Sequence, residues 1–136
     1  MNDKSKKITV EISPGELLDK ISILEIKIEK IKDKNKLAEI EKEYKILKTS
    51  KKMQIDQINE HGQINDLFIS LKSINQMLWK VEDEIRICEK NKNFSEKFID
   101  LARKVYINND KRAKIKAEIN EALGSNIKEI KYYTDY

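Results

Sequence analysis

Cysteine, histidine, tryptophan and proline occur once each in 136 residues, and glycine three times. A lone Cys88 excludes an intrachain disulfide framework, and one Cys with one His excludes a Cys/His zinc site within a single chain. A Cys-His nucleophile would need Cys88 beside His61, but His61 lies in the polar stretch NEHGQ, which reads as a loop. So little Gly and Pro leaves too few turns for a sheet-rich protein. No apolar run reaches the length of a membrane span, and the first residues, MNDKSKKITVEIS, carry no apolar h-region, so a cytoplasmic protein is expected. Aromatic residues are scarce and none alternates with the basic spots at Lys4, Lys6, Lys7 and at Lys51, Lys52. Without stacking platforms beside the cations, nucleic acid is not an expected partner.

What the chain does have is charge, 38% against 39% hydrophobic, with Lys and Glu interleaved so that the net +4 is spread over solvated helix surfaces. At this length folding removes roughly 65 to 70% of the unfolded surface from water, so residues 1–136 form one domain with a real core. The class is mainly α, an antiparallel helical bundle of four to five helices. Alternation at Ile8, Val10 and Ile12 predicts one short strand, and Ile127, Ile130 and Tyr132 lie in a β-prone tail. Pairing of the two would join the termini.

Ser13-Pro14-Gly15-Glu16 is a helix start, with Ser13 as N-cap, Pro at the first helical position and Glu16 placed to return a bond to the Ser13 amide. Leu17, Ile21, Leu24, Ile28 and Ile31 follow at spacings of 4, 3, 4 and 3, a narrow stripe for helix packing. A second helix, about Lys36 to Thr49, folds back on the first, and its stripe fades before Gly62, the expected break. The third, about Ile64 to Lys90, carries Ile64, Leu67, Leu71, Leu78 and Ile85. Ser95 caps the next segment, and INND at 107–110 either opens a fresh helix or is carried inside a continuous one that ends at Gly124.

Some polar residues fall where apolar ones belong. Glu82 lies between Leu78 and Ile85 with Asn75 and Arg86 on its border, and Arg112 lies in the stripe of Ile115 and Ile119. Glu16, Lys20 and Lys27 edge the first helix's stripe, and Trp79 borders the Glu82 region as core packing or as a pocket wall. Asn108, Asn109 and Asp110 read equally as an N-cap cluster. Buried charge must be paired or hold a ligand and water. Capping accounts for Glu16, and i,i+4 pairs account for Lys20 and Arg86.

With those residues in view, the chain resembles a family of small bacterial proteins known as a domain of unknown function. The resemblance rests on SPGELLDKISILEIKIEKI, LWKVEDEIRICE, FIDLARKVYINNDKRAKIKAEIN and LGSNIKEIKYY. It implies no established activity. The polar positions it picks out are Glu16, Asp19, Lys20, Lys27, Glu82, Asp83, Arg86, Asn108, Asp110, Arg112, Lys116 and Asn120. A fainter likeness is to the all-helical chorismate mutases, where Arg and Lys surround a dicarboxylate. Here only Lys27 stands in for their first-helix arginine, and lysine does not reproduce a bidentate guanidinium.

The expected function is a binding module with an interhelical polar site for an anionic small molecule or a partner's side chains. Arg112, Lys116, Lys20 and Lys27 would hold the anion, with Glu82 and Asn108 orienting them. The competing readings are an enzyme using Glu82 or Asp19 as acid or base, and an assembly protein whose first-helix stripe makes a homodimer. Carboxylates at Glu16, Asp19, Glu82 and Asp83 would suit Mg²⁺, but the Lys and Arg mixed among them argue against it, and no cofactor is expected.

Overall fold

The computed structural model describes residues 6–58 and 61–136. Among the described residues four helices follow in order, α1 Pro14–Lys30, α2 Lys34–Gln54, α3 His61–Lys90 and α4 Glu96–Ala122. No helix among the described residues is long and apolar enough to cross a membrane.

Helix α1 starts where its sequence says. Ser13 Oγ accepts the Glu16 amide at 3.1 Å, and Pro14 takes the first helical position, where no N–H is needed. Only half of the capping box forms. The Glu16 carboxylate turns to Lys116 Nζ at 2.7 Å, a charged donor that outcompetes the Ser13 amide. Ser13→Ala is therefore expected to lower stability by about 1 kcal/mol in urea unfolding, and an unchanged midpoint would show the cap to be dispensable.

Helix α1 is the hub, packed against α2, α3 and α4. Three-sided packing is why a single stripe understates its burial: Leu18 and Ile26, both off the stripe, are buried, whereas Ile28, on it, is only half-buried. Leu17, Ile21 and Leu24 of the α1 stripe are thus buried within the chain and are not left open as a homodimer face. On its outer side Glu25 accepts Tyr44 Oη at 2.9 Å and Lys72 Nζ at 3.1 Å, tying α2 and α3 to α1. The main core gathers Leu17, Leu18, Ile21, Ile55, Ile64, Leu71 and Ile119. At 1.5 Å per residue α3 is about 45 Å long and α1 about 25 Å, so the α3/α4 hairpin outruns α1. Its far end closes on a separate small core of Val81, Cys88 and Leu101.

Several boundaries differ from the sequence reading. Helix α2 continues to Gln54, and His61 and Gly62 are both helical within α3, so the break expected at Gly62 does not fall there. Residues 107–110 run inside α4, because Asn108 Nδ2 donates to the Lys104 carbonyl at 2.8 Å and is satisfied without becoming a cap. Ser95 is the N-cap of α4 but makes no side-chain cap bond. Gly124 ends α4 at φ 64°, and the Ser125 amide closes onto the Asn120 carbonyl at 2.8 Å.

The strand pair joining the termini is not formed among the described residues. Ile8, Val10, Ile130 and Tyr132 are all exposed, and the two segments meet through a side-chain bond, Asn126 Nδ2 to Glu11 Oε2 at 2.8 Å, with no backbone ladder. Of the basic spot Lys4, Lys6 and Lys7, Lys4 lies outside the described residues.

Candidate functional site

Where α1, α3 and α4 meet, five polar side chains are buried: Asp19 and Ser22 of α1, Asn75 of α3, and Lys116 and Asn120 of α4. Such groups are tolerable only if satisfied, and among the described residues no buried side-chain N or O lacks a partner. Asn75 Nδ2 donates to Asp19 Oδ1 at 2.8 Å and to Ser22 Oγ at 2.7 Å, while Ser22 Oγ donates to the Asp19 carbonyl. Lys116 Nζ faces three carboxylates: Glu16 at 2.7 Å, Glu129 at 3.2 Å and Asp19 at 3.7 Å. Asn120 welds two helix ends. Its Oδ1 accepts the Gly15 amide of α1 at 2.7 Å, and its own carbonyl closes the end of α4.

Burial by itself would push the Lys116 ammonium down, but the bonds and charges of Glu16, Asp19 and Glu129 outweigh it and leave the group above the ordinary lysine value. Glu129 is held below the usual carboxylate range, first by Lys131 and then by Lys116. The stabilisation from raised Lys116 is full below lysine's unfolded pKa and is lost as pH rises through its folded one. That from lowered Glu129 is present above its unfolded value and is lost as pH falls through its folded one. Stability measured by urea midpoint against pH should therefore fall at both ends, and Lys116→Met should flatten the alkaline limb. An alkaline limb unchanged by that substitution would contradict the assignment.

The network opens outward through one residue. Arg112 Nη1 donates to Asn75 Oδ1 at 3.2 Å, so the amide that satisfies Asp19 on its nitrogen side orients Arg112 on its oxygen side. Arg112 stands in a cleft of about 390 Å³ between α1, α3 and α4, shared with Ile23, Trp79, Glu82, Asp83 and Asn109. Among the described residues it makes no ion pair. A guanidinium has five N–H donors, and Asn75 takes one of them.

Trp79, Glu82, Asp83, Arg86 and Arg112 thus share the cleft. Glu82 and Arg112 face the same space but form no hydrogen bond or ion pair with each other. Glu82 pairs with Arg86 in its own helix, and the pair is a surface one, the Glu82 side chain being 43% exposed. The buried position of this turn is Val81, because α4 lies on that side of α3. Glu16, Asp19, Lys116 and Asn120 form the inner network instead.

Four predicted residues join neither group in the way expected. Lys20 is exposed and among the described residues pairs with Glu16 alone, at 3.7 Å. Lys27 sits at the α1/α2 hairpin beside Ile31, Asn35 and Ile40, so the mutase-like gathering of cations around Arg112 does not form. Asn108 is spent on its own helix, and Asp110 is exposed and accepts Tyr136 Oη. Glu16 and Asp19 lie in the network while Glu82 and Asp83 lie in the cleft, so the four carboxylates share no metal position. Among the described residues no group of three His, Cys, Asp or Glu is arranged to hold a metal ion, and the three carboxylates that do converge are centred on the Lys116 ammonium.

Asn75 was readable only as a border residue, although its spacing of 4 from Leu71 and 3 to Leu78 puts it in the buried stripe. Ser22, Gly15 and Glu129 gave no such signal.

No curated protein and no solved structure matches the chain. Residues 8–135 match one family profile almost end to end, and the chain accordingly belongs to the Family of unknown function (DUF6165).

Proposed function

We propose that the protein is a binding module whose cleft between α1, α3 and α4 takes a small carboxylate, held by Arg112 against an apolar wall. The observation that carries this reading is the charge balance around the two inner cations. Lys116 has three carboxylates and is fully used, whereas Arg112, half-buried at the mouth of the same network, has a neutral amide and no counter-ion among the described residues. A planar guanidinium held by one bond offers its remaining edge for bidentate recognition of a carboxylate. Ile23, Leu78 and Trp79 supply the wall against which an apolar body would lie, and the volume falls within the range of small-ligand sites.

The inner network is the scaffold in this reading. Asp19 has one oxygen on Asn75 and the other facing Lys116, so both are committed to packing and neither is free to move a proton for a substrate.

The test is a thermal-shift screen of short aliphatic and aromatic carboxylates at constant ionic strength, with chloride as the control. A ligand at 100 times its Kd stabilises the native state by about 2.7 kcal/mol, an easily read shift. Arg112→Gln should keep the parent's melting temperature within a few degrees and lose the response. A parent protein indifferent to every carboxylate, or a response that survives Arg112→Gln, would refute the reading.

A further inference from the structure

The segment Lys6-Lys7-Ile8-Thr9-Val10-Glu11-Ile12 has the alternation of a strand but no strand to pair with. Its backbone makes no hydrogen bond to any described residue. Ile8 is 85% and Val10 69% exposed, although both line an apolar groove of about 870 Å³ with Ile12, Leu17, Ile46 and Ile55. We propose that the occupant is a second copy of this chain, its residues 6–12 pairing antiparallel with the same residues of the first to make a two-fold dimer.

Charge complementarity is what singles out the copy. Paired about Thr9, the segment is its own complement. Thr9 meets Thr9, Ile8 meets Val10, and Lys7 meets Glu11, and the two-fold axis repeats the last two pairs. Pairing about Ile8 or Val10 would keep the apolar face but set Lys7 or Glu11 opposite Thr9, losing both ion pairs. In the Thr9 register Lys7, Thr9 and Glu11 form one polar face, and Ile8, Val10 and Ile12 of both copies form an apolar face with a Lys6 at each outer end, opposite Ile12. That face roofs the groove that each chain leaves open. Glu11 Oε2 already accepts Asn126 Nδ2, which steadies the strand while leaving Oε1 for Lys7 of the other copy.

This inference does not depend on the Arg112 cleft, which lies among other residues. Its test is sedimentation velocity on the full chain over a concentration series. A reversible monomer–dimer equilibrium is expected, weakened about tenfold or more by Lys7→Glu or by Glu11→Lys, since each turns two attractive pairs into repulsive ones. The double swap Lys7→Glu/Glu11→Lys should restore the parent's dissociation constant to within about threefold. All three variants alter a segment outside the helices, and unchanged far-ultraviolet circular dichroism would confirm their folding. A chain that stays monomeric throughout would overturn the proposal. So would a dimer indifferent to the single reversals, or one that the double swap fails to rescue.

Discussion

Lys116→Met is expected to destabilise the fold by about 3 to 5 kcal/mol in urea unfolding near neutral pH. Methionine keeps most of the aliphatic stem, so packing is largely preserved and the change isolates the charge. What remains is Asp19, its side chain 8% exposed, with Asn75 as its one side-chain donor, and Glu16 and Glu129 converging on the same empty position. A carboxylate left without its counter-ion in the interior is the costly outcome, and three around one position repel each other as well. The double variant Lys116→Met/Asp19→Asn should recover part of the loss by removing the buried charge. A single-variant loss below about 1 kcal/mol would mean that water already reaches Asp19 and that the network is not a closed structural unit.

Gly15→Ala is expected to cost about 3 kcal/mol, out of proportion to one methyl group. A Cβ at residue 15 would stand 2.6 Å from the Lys116 carbonyl oxygen and 2.7 Å from Asn120 Oδ1. The first is helix backbone, and the second is held by the Gly15 amide itself. Neither withdraws without moving α1 off α4, which loosens Lys116 from Glu16 in the same step. Gly62→Ala is the control, because an added Cβ there meets nothing within 4 Å and the substitution favours helix. Equal, small effects at the two glycines would show that α1 and α4 are not in backbone contact.

These two residues mark how far the sequence could be read. Local chemistry was legible: the Ser13 cap, the glycine end of α4, the helical class and the family resemblance all follow from short-range spacing, and the structure or the family match bears each out. Arg112 was legible as a cation in an apolar stripe, and it does stand at the helix junction. Burial on α1 was not, since a periodic stripe assumes one partner face and α1 has three. Glu82 was misplaced because Val81 and Glu82 are both compatible with a stripe through Leu78 and Ile85, and only the position of α4 decides between them. Glu129 arrives at Lys116 from a tail without regular structure, so no periodicity could assign it. Gly15 read as part of a helix start, and its second role exists only because Asn120, 105 residues away, packs over it.

In the proposed function Arg112 is a cation kept for a ligand, whereas Lys116 is bound by three carboxylates and serves the fold. Trp79 is the chain's one tryptophan and lines the Arg112 cleft, so its fluorescence reports occupancy directly. Titration with phenylacetate and with its neutral amide, in the parent protein and in Arg112→Gln, separates charge recognition from apolar contact. A saturable emission change is expected with the carboxylate in the parent only, at least tenfold weaker with the amide and absent in Arg112→Gln, the loss expected for a charge-assisted bidentate pair. Equal responses to carboxylate and amide, or a response that Arg112→Gln leaves intact, would contradict it.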